Sequence, residues 1–114
     1  MHAHEVLEEV SGAGRQLRAL IPDVYAAYAQ LSKAATAEGV LSTKAKELIA
    51  LAISATRECD GCIAAHARNL AKIGATSQEV AEAMGVVIEM NGGPGTVWGA
   101  RAASAFEEYA QQGG

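Results

Sequence analysis

Cys59, Cys62 and His66 are the residues of this 114-residue chain whose types and spacing can do chemistry. They stand in the stretch ECDGCIAAH, a Cys-x-x-Cys pair with a histidine four residues beyond the second sulfur. On a helix turning roughly 100° per residue, offsets of three, four and seven bring all three side chains onto one face. A cysteine is nucleophilic as its thiolate, and a helix N-terminus favours that form because its free N–H groups and dipole stabilise negative charge. His66, one turn after Cys62, can take the proton of that sulfur or hold an ion pair with it. Once one sulfur is oxidised to a sulfenic acid, the other can condense with it into a disulfide, which a reductant must then reopen.

Other uses of such a pair are weaker on physical grounds. A disulfide stabilises mainly by closing a long loop, so a bridge across two intervening residues contributes little to the fold. A Cys-x-x-Cys also serves zinc sites, but a structural zinc usually takes four protein ligands. The other histidines, His2 and His4, stand in the N-terminal stretch. The expectation is therefore redox chemistry without a metal or organic cofactor. The net charge of −4, with both signs interspersed, argues against a nucleic-acid partner. No apolar run reaches the roughly 20 residues of a membrane span. The opening MHAHEVLEEV is acidic and unlike a signal peptide, so a cytoplasmic location is expected.

The elements that position these residues read as helices. Half the residues are hydrophobic yet only 4% are aromatic, and the apolar content is largely alanine, which suits closely packed helices. Val6, Leu7, Val10, Leu17 and Leu20 mark a first helix, expected to be short or broken at Gly12 and Gly14. Pro22 or Asp23 starts a second, running to about Ala37 and stopped by Gly39. Ser42 and Thr43 are N-cap candidates for a third, through about Thr56, whose buried face is expected to combine Leu48, Ile49, Ala52 and Ile53. Glu47 projects differently, in line with Leu51 and Ser54, where it can reach the edge of a buried site, while nearby Lys44 and Lys46 suit it to a solvated charged face. A fourth helix begins near Cys59 or Asp60, Glu58 and Asp60 favouring its start electrostatically, and ends at Gly74. Thr76 and Glu79 match a capping box for a fifth, Ser77 to about Met90. Asn91–Gly95 is the strongest breaker, followed by a last helix from about Thr96 to Ala110 and a fraying Gln111–Gly114. Met84, Met90, Trp98 and Phe106 read as core or subunit-contact residues. With no β-type alternation and no repeat, residues 1–114 are expected to form a single all-α domain of five or six helices.

Together, Glu47, Cys59, Cys62 and His66 resemble the Glu, then Cys-x-x-Cys-x-x-x-His pattern of the alkylhydroperoxidase AhpD-like group in the carboxymuconolactone decarboxylase superfamily. The following ARNLAKIGATSQEVAEAMGVV is similar to that group's helix, glycine turn and next helix. The likeness is good over about residues 40 to 92 and looser in the flanks. It implies an AhpD-like helical bundle, assembled as a homotrimer or homohexamer with the redox site near subunit contacts. It implies a peroxidase cycle with Cys62 as the attacking residue, Cys59 as the resolving one, and His66 with Glu47 as a proton relay. One departure stands out: characterised peroxidase members often carry a histidine just before the second cysteine, and here that position is Gly61. Proton transfer is expected to be weaker or differently routed.

The leading reading is a thiol-dependent peroxidase or disulfide reductase, acting on a hydroperoxide and restored by a dithiol or protein reductant. The alternative is a non-catalytic redox-sensing oligomer whose disulfide alters subunit contacts. A carboxymuconolactone decarboxylase-type activity ranks third, since no carboxylate-binding arginine stands at a defined site; Arg57, Arg68 and Arg101 are the candidates.

Overall fold

Each turn of the chain is fixed by a local device that the sequence supplies. In the computed structural model, which describes residues 1–113, these devices separate six helices: α1 (Ala3–Leu20), α2 (Pro22–Thr36), α3 (Thr43–Thr56), α4 (Asp60–Lys72), α5 (Ser77–Asn91) and α6 (Gly93–Gly113). No strand occurs among the described residues, so the fold is all-α. Pro22 opens α2, where a missing N–H costs nothing. The Ser42 hydroxyl caps α3 by accepting the Ala45 N–H at 3.0 Å. Thr76 and Glu79 complete a reciprocal capping box at α5.

Two further turns share one geometry. At the end of α3 the Glu58 N–H donates to the Ala55 carbonyl and the Cys59 N–H to Ser54; at the end of α4 Gly74 donates to Ala71 and Ala75 to Leu70. Both are Schellman closures, which need a residue in the left-handed region. Gly74 adopts it at φ 80°, and Glu58, a residue with a side chain, at φ 56°. The α3–α4 turn thus carries backbone strain immediately before Cys59.

Alanine does what its abundance suggests. Ala64 and Ala67 of α4 and Ala102 and Ala105 of α6 are fully buried beside Leu51, Ile63, Leu70, Val80 and Phe106. Small side chains let the backbones approach while the large ones fill the space between. Burying each large apolar side chain stabilises the fold by about 1.5–3 kcal/mol before entropy. α6 packs against α3, α4 and α5, and α4 against α1 and α3, so α4 is held on three sides. The N-terminus of α1 docks on α6: the Ala3 N–H donates to the Glu108 carboxylate at 3.0 and 3.2 Å.

Three expectations are corrected. α1 runs unbroken through Gly12 and Gly14; glycine costs about 1 kcal/mol against alanine in a helix interior, and packing on α4 outweighs it. The buried face of α3 is Glu47, Leu51, Ser54 and Ala55, whereas Ile49 and Ile53 are 48% and 54% exposed. The glycine-rich breaker is a single residue, Gly92, because Pro94 fits in the first turn of α6, where helix N–H groups lack partners anyway. α6 therefore starts at Gly93 and stays helical through Gln111–Gly113, Gly114 lying outside the described residues. Of the residues expected in the core or at subunit contacts, Met84 and Phe106 are buried, Trp98 packs at the core's margin, and Met90, 74% exposed, keeps only the subunit-contact alternative.

Gly95 explains how tightly α5 and α6 cross. A Cβ at that position would lie 2.8 Å from the Val87 carbonyl oxygen and 2.9 Å from the Ile88 Cα. Both obstacles are backbone, so only glycine fits.

Candidate active site

Cys59 is the N-cap of α4 and Cys62 lies in its first turn. The two are joined in a disulfide, with Cα atoms 5.3 Å apart. The Cys62 N–H points at the Cys59 sulfur, 3.3 Å away. A helix N-terminus therefore donates to this sulfur, the arrangement that favours a thiolate once the bridge is reduced. Cys62 is exposed and Cys59 half-buried, so the second sulfur is the more accessible to a solute.

One turn further along α4, His66 meets Glu47 of α3. Its Nδ1 lies 2.6 Å from Glu47 Oε2, and the other carboxylate oxygen accepts from the Asn69 side-chain amide at 3.3 Å. Glu47 is 5% exposed, one of two buried polar residues among those described; the other, Ser54, spends its hydroxyl on the Ala50 carbonyl of its own helix. An ionised carboxylate only accepts hydrogen bonds, so with Glu47 ionised the proton sits on Nδ1 and Nε2 is left as the basic nitrogen. The pair is thus a buried acceptor that fixes both the orientation and the tautomer of an imidazole.

The lysines that suggested a solvated face for Glu47 are engaged elsewhere. Lys44 pairs with Glu79 of α5 at 2.7 Å, and Lys46 donates to the Ala37 carbonyl at 2.7 Å. The structure puts Cys59 at the N-cap of α4, Cys62 in its first turn and His66 one turn further on, and joins His66 to Glu47 of the neighbouring helix; among the described residues no hydrogen bond links either sulfur to the imidazole. Asn69 was missed from the sequence; its signal was the offset of three from His66, which places it on the same face. Asp60 accepts the N–H of Gly61 at 2.7 Å, while Glu58 serves the turn rather than the helix start.

Gly61 has a steric setting. A Cβ there would lie 3.3 Å from Val10 Cγ2 of α1, a close approach that needs Val10 to yield. The first helix, unbroken, thus lies against Gly61. Of the three candidate arginines, Arg57 is exposed, Arg101 stacks over the Trp98 ring at 4.9 Å, and Arg68 lines a cleft between α1, α4 and α6. Among the described residues no group of three or more His, Cys, Asp or Glu side chains is arranged to hold a metal ion, and no helix is long and apolar enough to cross a membrane.

The model of the carboxymuconolactone decarboxylase family matches residues 22–105. An uncharacterized protein of Cupriavidus necator is 36% identical over 86 residues, covering 75% of this chain and 76% of the relative. Uncharacterized protein 4 in the cox locus of Paracoccus denitrificans is 34% identical, covering 93% and 89%. The crystal structure of an apo carboxymuconolactone decarboxylase family protein from Legionella pneumophila superposes with a TM-score of 0.91 at 34% identity, over 95% of this chain and 96% of that one.

Proposed function

The chain belongs to the carboxymuconolactone decarboxylase family, and from that premise we propose that it is a thiol-dependent peroxidase or disulfide reductase of the AhpD-like kind, working through Cys59 and Cys62. The observation that carries this reading is an imidazole held by a buried carboxylate one helical turn beyond two cysteines at a helix N-terminus.

In the reduced protein the Cys62 thiolate attacks the terminal oxygen of a hydroperoxide. The O–O bond breaks, Cys62 becomes a sulfenic acid, and the leaving alkoxide takes a proton from the His66 imidazolium. The Cys59 thiol then attacks the sulfenic sulfur, forming the Cys59–Cys62 disulfide and releasing water. A dithiol or protein reductant donates two electrons and two protons to restore both thiols. Glu47 stabilises the imidazolium formed when His66 accepts the Cys62 proton, and Asn69 steadies Glu47. Greater exposure favours Cys62 as the attacking sulfur; the donated Cys62 N–H favours Cys59 as the leaving thiolate when the bridge is reduced.

Gly61 has no side chain to move a proton, so in this reading the relay is assigned to His66 and Glu47. The chain acts as one domain, without a metal or organic cofactor. The test is peroxide consumption with a dithiol donor by the wild type and by Cys62→Ser. Loss of turnover in the variant supports the assignment, and full activity contradicts it.

A second reading rests on α2, which buries none of its residues and presents Val24, Tyr28 and Leu31 to the outside, with Ile49 and Ile53 of α3 also exposed. Apolar surface of this extent favours self-association, for which the family resemblance implies a homotrimer or homohexamer, and a redox-sensing role requires that assembly to respond to the disulfide. Sizing the oxidised and reduced protein separates the readings, since an unchanged assembly removes the switch.

A further inference from the structure

The cysteines use only one side of α4. Roughly 200° around the helix axis from His66, Arg68 faces a different feature. This is a cleft of about 1160 Å³ between α1, the C-terminal half of α4, and the end of α6. Arg15, Arg68 and Lys72 line it, and none of them is ion-paired to a carboxylate among the described residues. The acidic side chain in the lining, Glu8, lies 3.1 Å from His4 on its own helix. Leu7, Ala71 and Ala75 give the cleft an apolar floor.

Two atoms on this wall lack what they need. Arg68 Nε and the Tyr109 hydroxyl are shut off from solvent, and neither has a hydrogen-bond partner among the described residues. Tyr109 is 8% exposed. Burial pushes its phenol above the usual value, against the opposing pull of Arg68 and with a smaller push from Glu108. The phenol therefore stays protonated and able to donate. A buried donor without an acceptor costs about 1–3 kcal/mol, so a protein of this size carries few of them. Here two lie on adjoining helices of one cleft, beside unpaired cations.

We propose that this cleft is a binding site for a small organic carboxylate, whose charged end meets Arg68 with Arg15 and Lys72 around it. Its apolar body rests on Leu7, Ala71 and Ala75. A planar carboxylate matches a guanidinium edge in a way a neutral ligand does not, and it brings acceptors that Arg68 and Tyr109 do not find among the described residues. Three cations and a small-residue floor suit a monoanion with a hydrocarbon body better than a free inorganic anion. The site is separate from the cysteines, and it stands whether or not the redox reading holds.

The test is a titration of the full-length protein with benzoate, benzyl alcohol and inorganic phosphate, followed by nuclear magnetic resonance of the backbone amides and the Arg68 Nε–H. Benzoate should shift Arg68, Ala71, Ala75 and Tyr109, while benzyl alcohol and phosphate bind at least about tenfold more weakly. Tyr109→Phe should weaken benzoate by about tenfold, with the melting temperature of the free protein unchanged or raised, because the lost hydroxyl had no partner. Arg68→Gln, checked for folding by circular dichroism, should abolish the shifts. Peroxide-driven oxidation of Cys59 and Cys62 should be unaltered in Tyr109→Phe. The proposal is overturned if benzoate binds no better than benzyl alcohol or phosphate, if its shifts map to the His66 side of α4, or if binding survives in both variants.

Discussion

Glu47 and His66, nineteen residues apart and on successive helices, meet at 2.6 Å, and the carboxylate is almost wholly buried at the contact. A buried acceptor of this kind holds the histidine in one tautomer with Nε2 free. Glu47→Gln keeps the shape but offers an amide where the carboxylate stood, so the imidazolium loses its counter-charge. The expected result is a fall of about 10²-fold in the rate of peroxide-driven disulfide formation, with the helical circular dichroism signal retained. Stopped-flow kinetics checks it, and a rate within threefold of wild type would remove Glu47 from the relay.

Asn69 gives Glu47 a second, neutral hydrogen bond at 3.3 Å. Such a bond contributes about 1 kcal/mol, so Asn69→Ala should slow the same reaction by only about fivefold. An effect as large as that of Glu47→Gln would mean that Asn69 touches the reacting groups itself.

The turn before Cys59 holds Glu58 in a conformation that glycine adopts freely. Glu58→Gly should stabilise the protein by about 0.5–1 kcal/mol, and Gly74→Ala at the matching turn after α4 should destabilise it by about 1 kcal/mol. Urea unfolding measures both. Opposite signs at the two positions are the specific expectation, and a loss of stability in Glu58→Gly would mean that its side chain holds the turn.

Gly95→Ala should be far more damaging than Gly14→Ala. The added methyl at Gly95 meets the α5 backbone, whereas nothing lies within 4 Å at Gly14. Overpacking of this kind costs about 1–3 kcal/mol, while Gly14→Ala should gain about 0.5–1 kcal/mol in helix propensity. Thermal melts of the two variants are expected to move in opposite directions.

The fold was legible where signals are local. Ser42, Thr76 with Glu79, and Gly74 each carry their own stop or start, and those boundaries fell where the spacing put them. Signals that depend on a distant partner were not legible. The α3 face was misassigned because Glu47 can be buried only when His66 arrives to pair with it, and periodicity alone ranks Ile49 and Ile53 as the better interior. Glu47 was singled out as a site residue by family resemblance alone, and Asn69 not at all. α1 was broken on paper by Gly12 and Gly14 because α4, the element that compensates for them, is invisible in the local sequence.

Acid should probe the α3–α5 contact. The hydrogen bond from Lys44, followed by that from the Thr76 backbone, holds the Glu79 carboxyl below its ordinary value of 4.5. A lowered folded-state pKa contributes stability above the unfolded value that is lost as pH falls through the lowered one. Wild type should therefore lose stability below about pH 4.5 more steeply than Glu79→Gln. Urea midpoints for both proteins at pH 7 and pH 3 measure this, and parallel losses would exclude Glu79 as a contributor.

The most direct measurement is the thiol state of the fully reduced protein after one equivalent of hydroperoxide, followed by rapid quenching and mass spectrometry. The redox account predicts prompt formation of an intramolecular Cys59–Cys62 disulfide, a sulfenic acid trapped on Cys62 in Cys59→Ser, and no reaction in Cys62→Ser. Thiols that stay reduced in the wild type, or a Cys62→Ser variant that consumes peroxide at the wild-type rate, would contradict it.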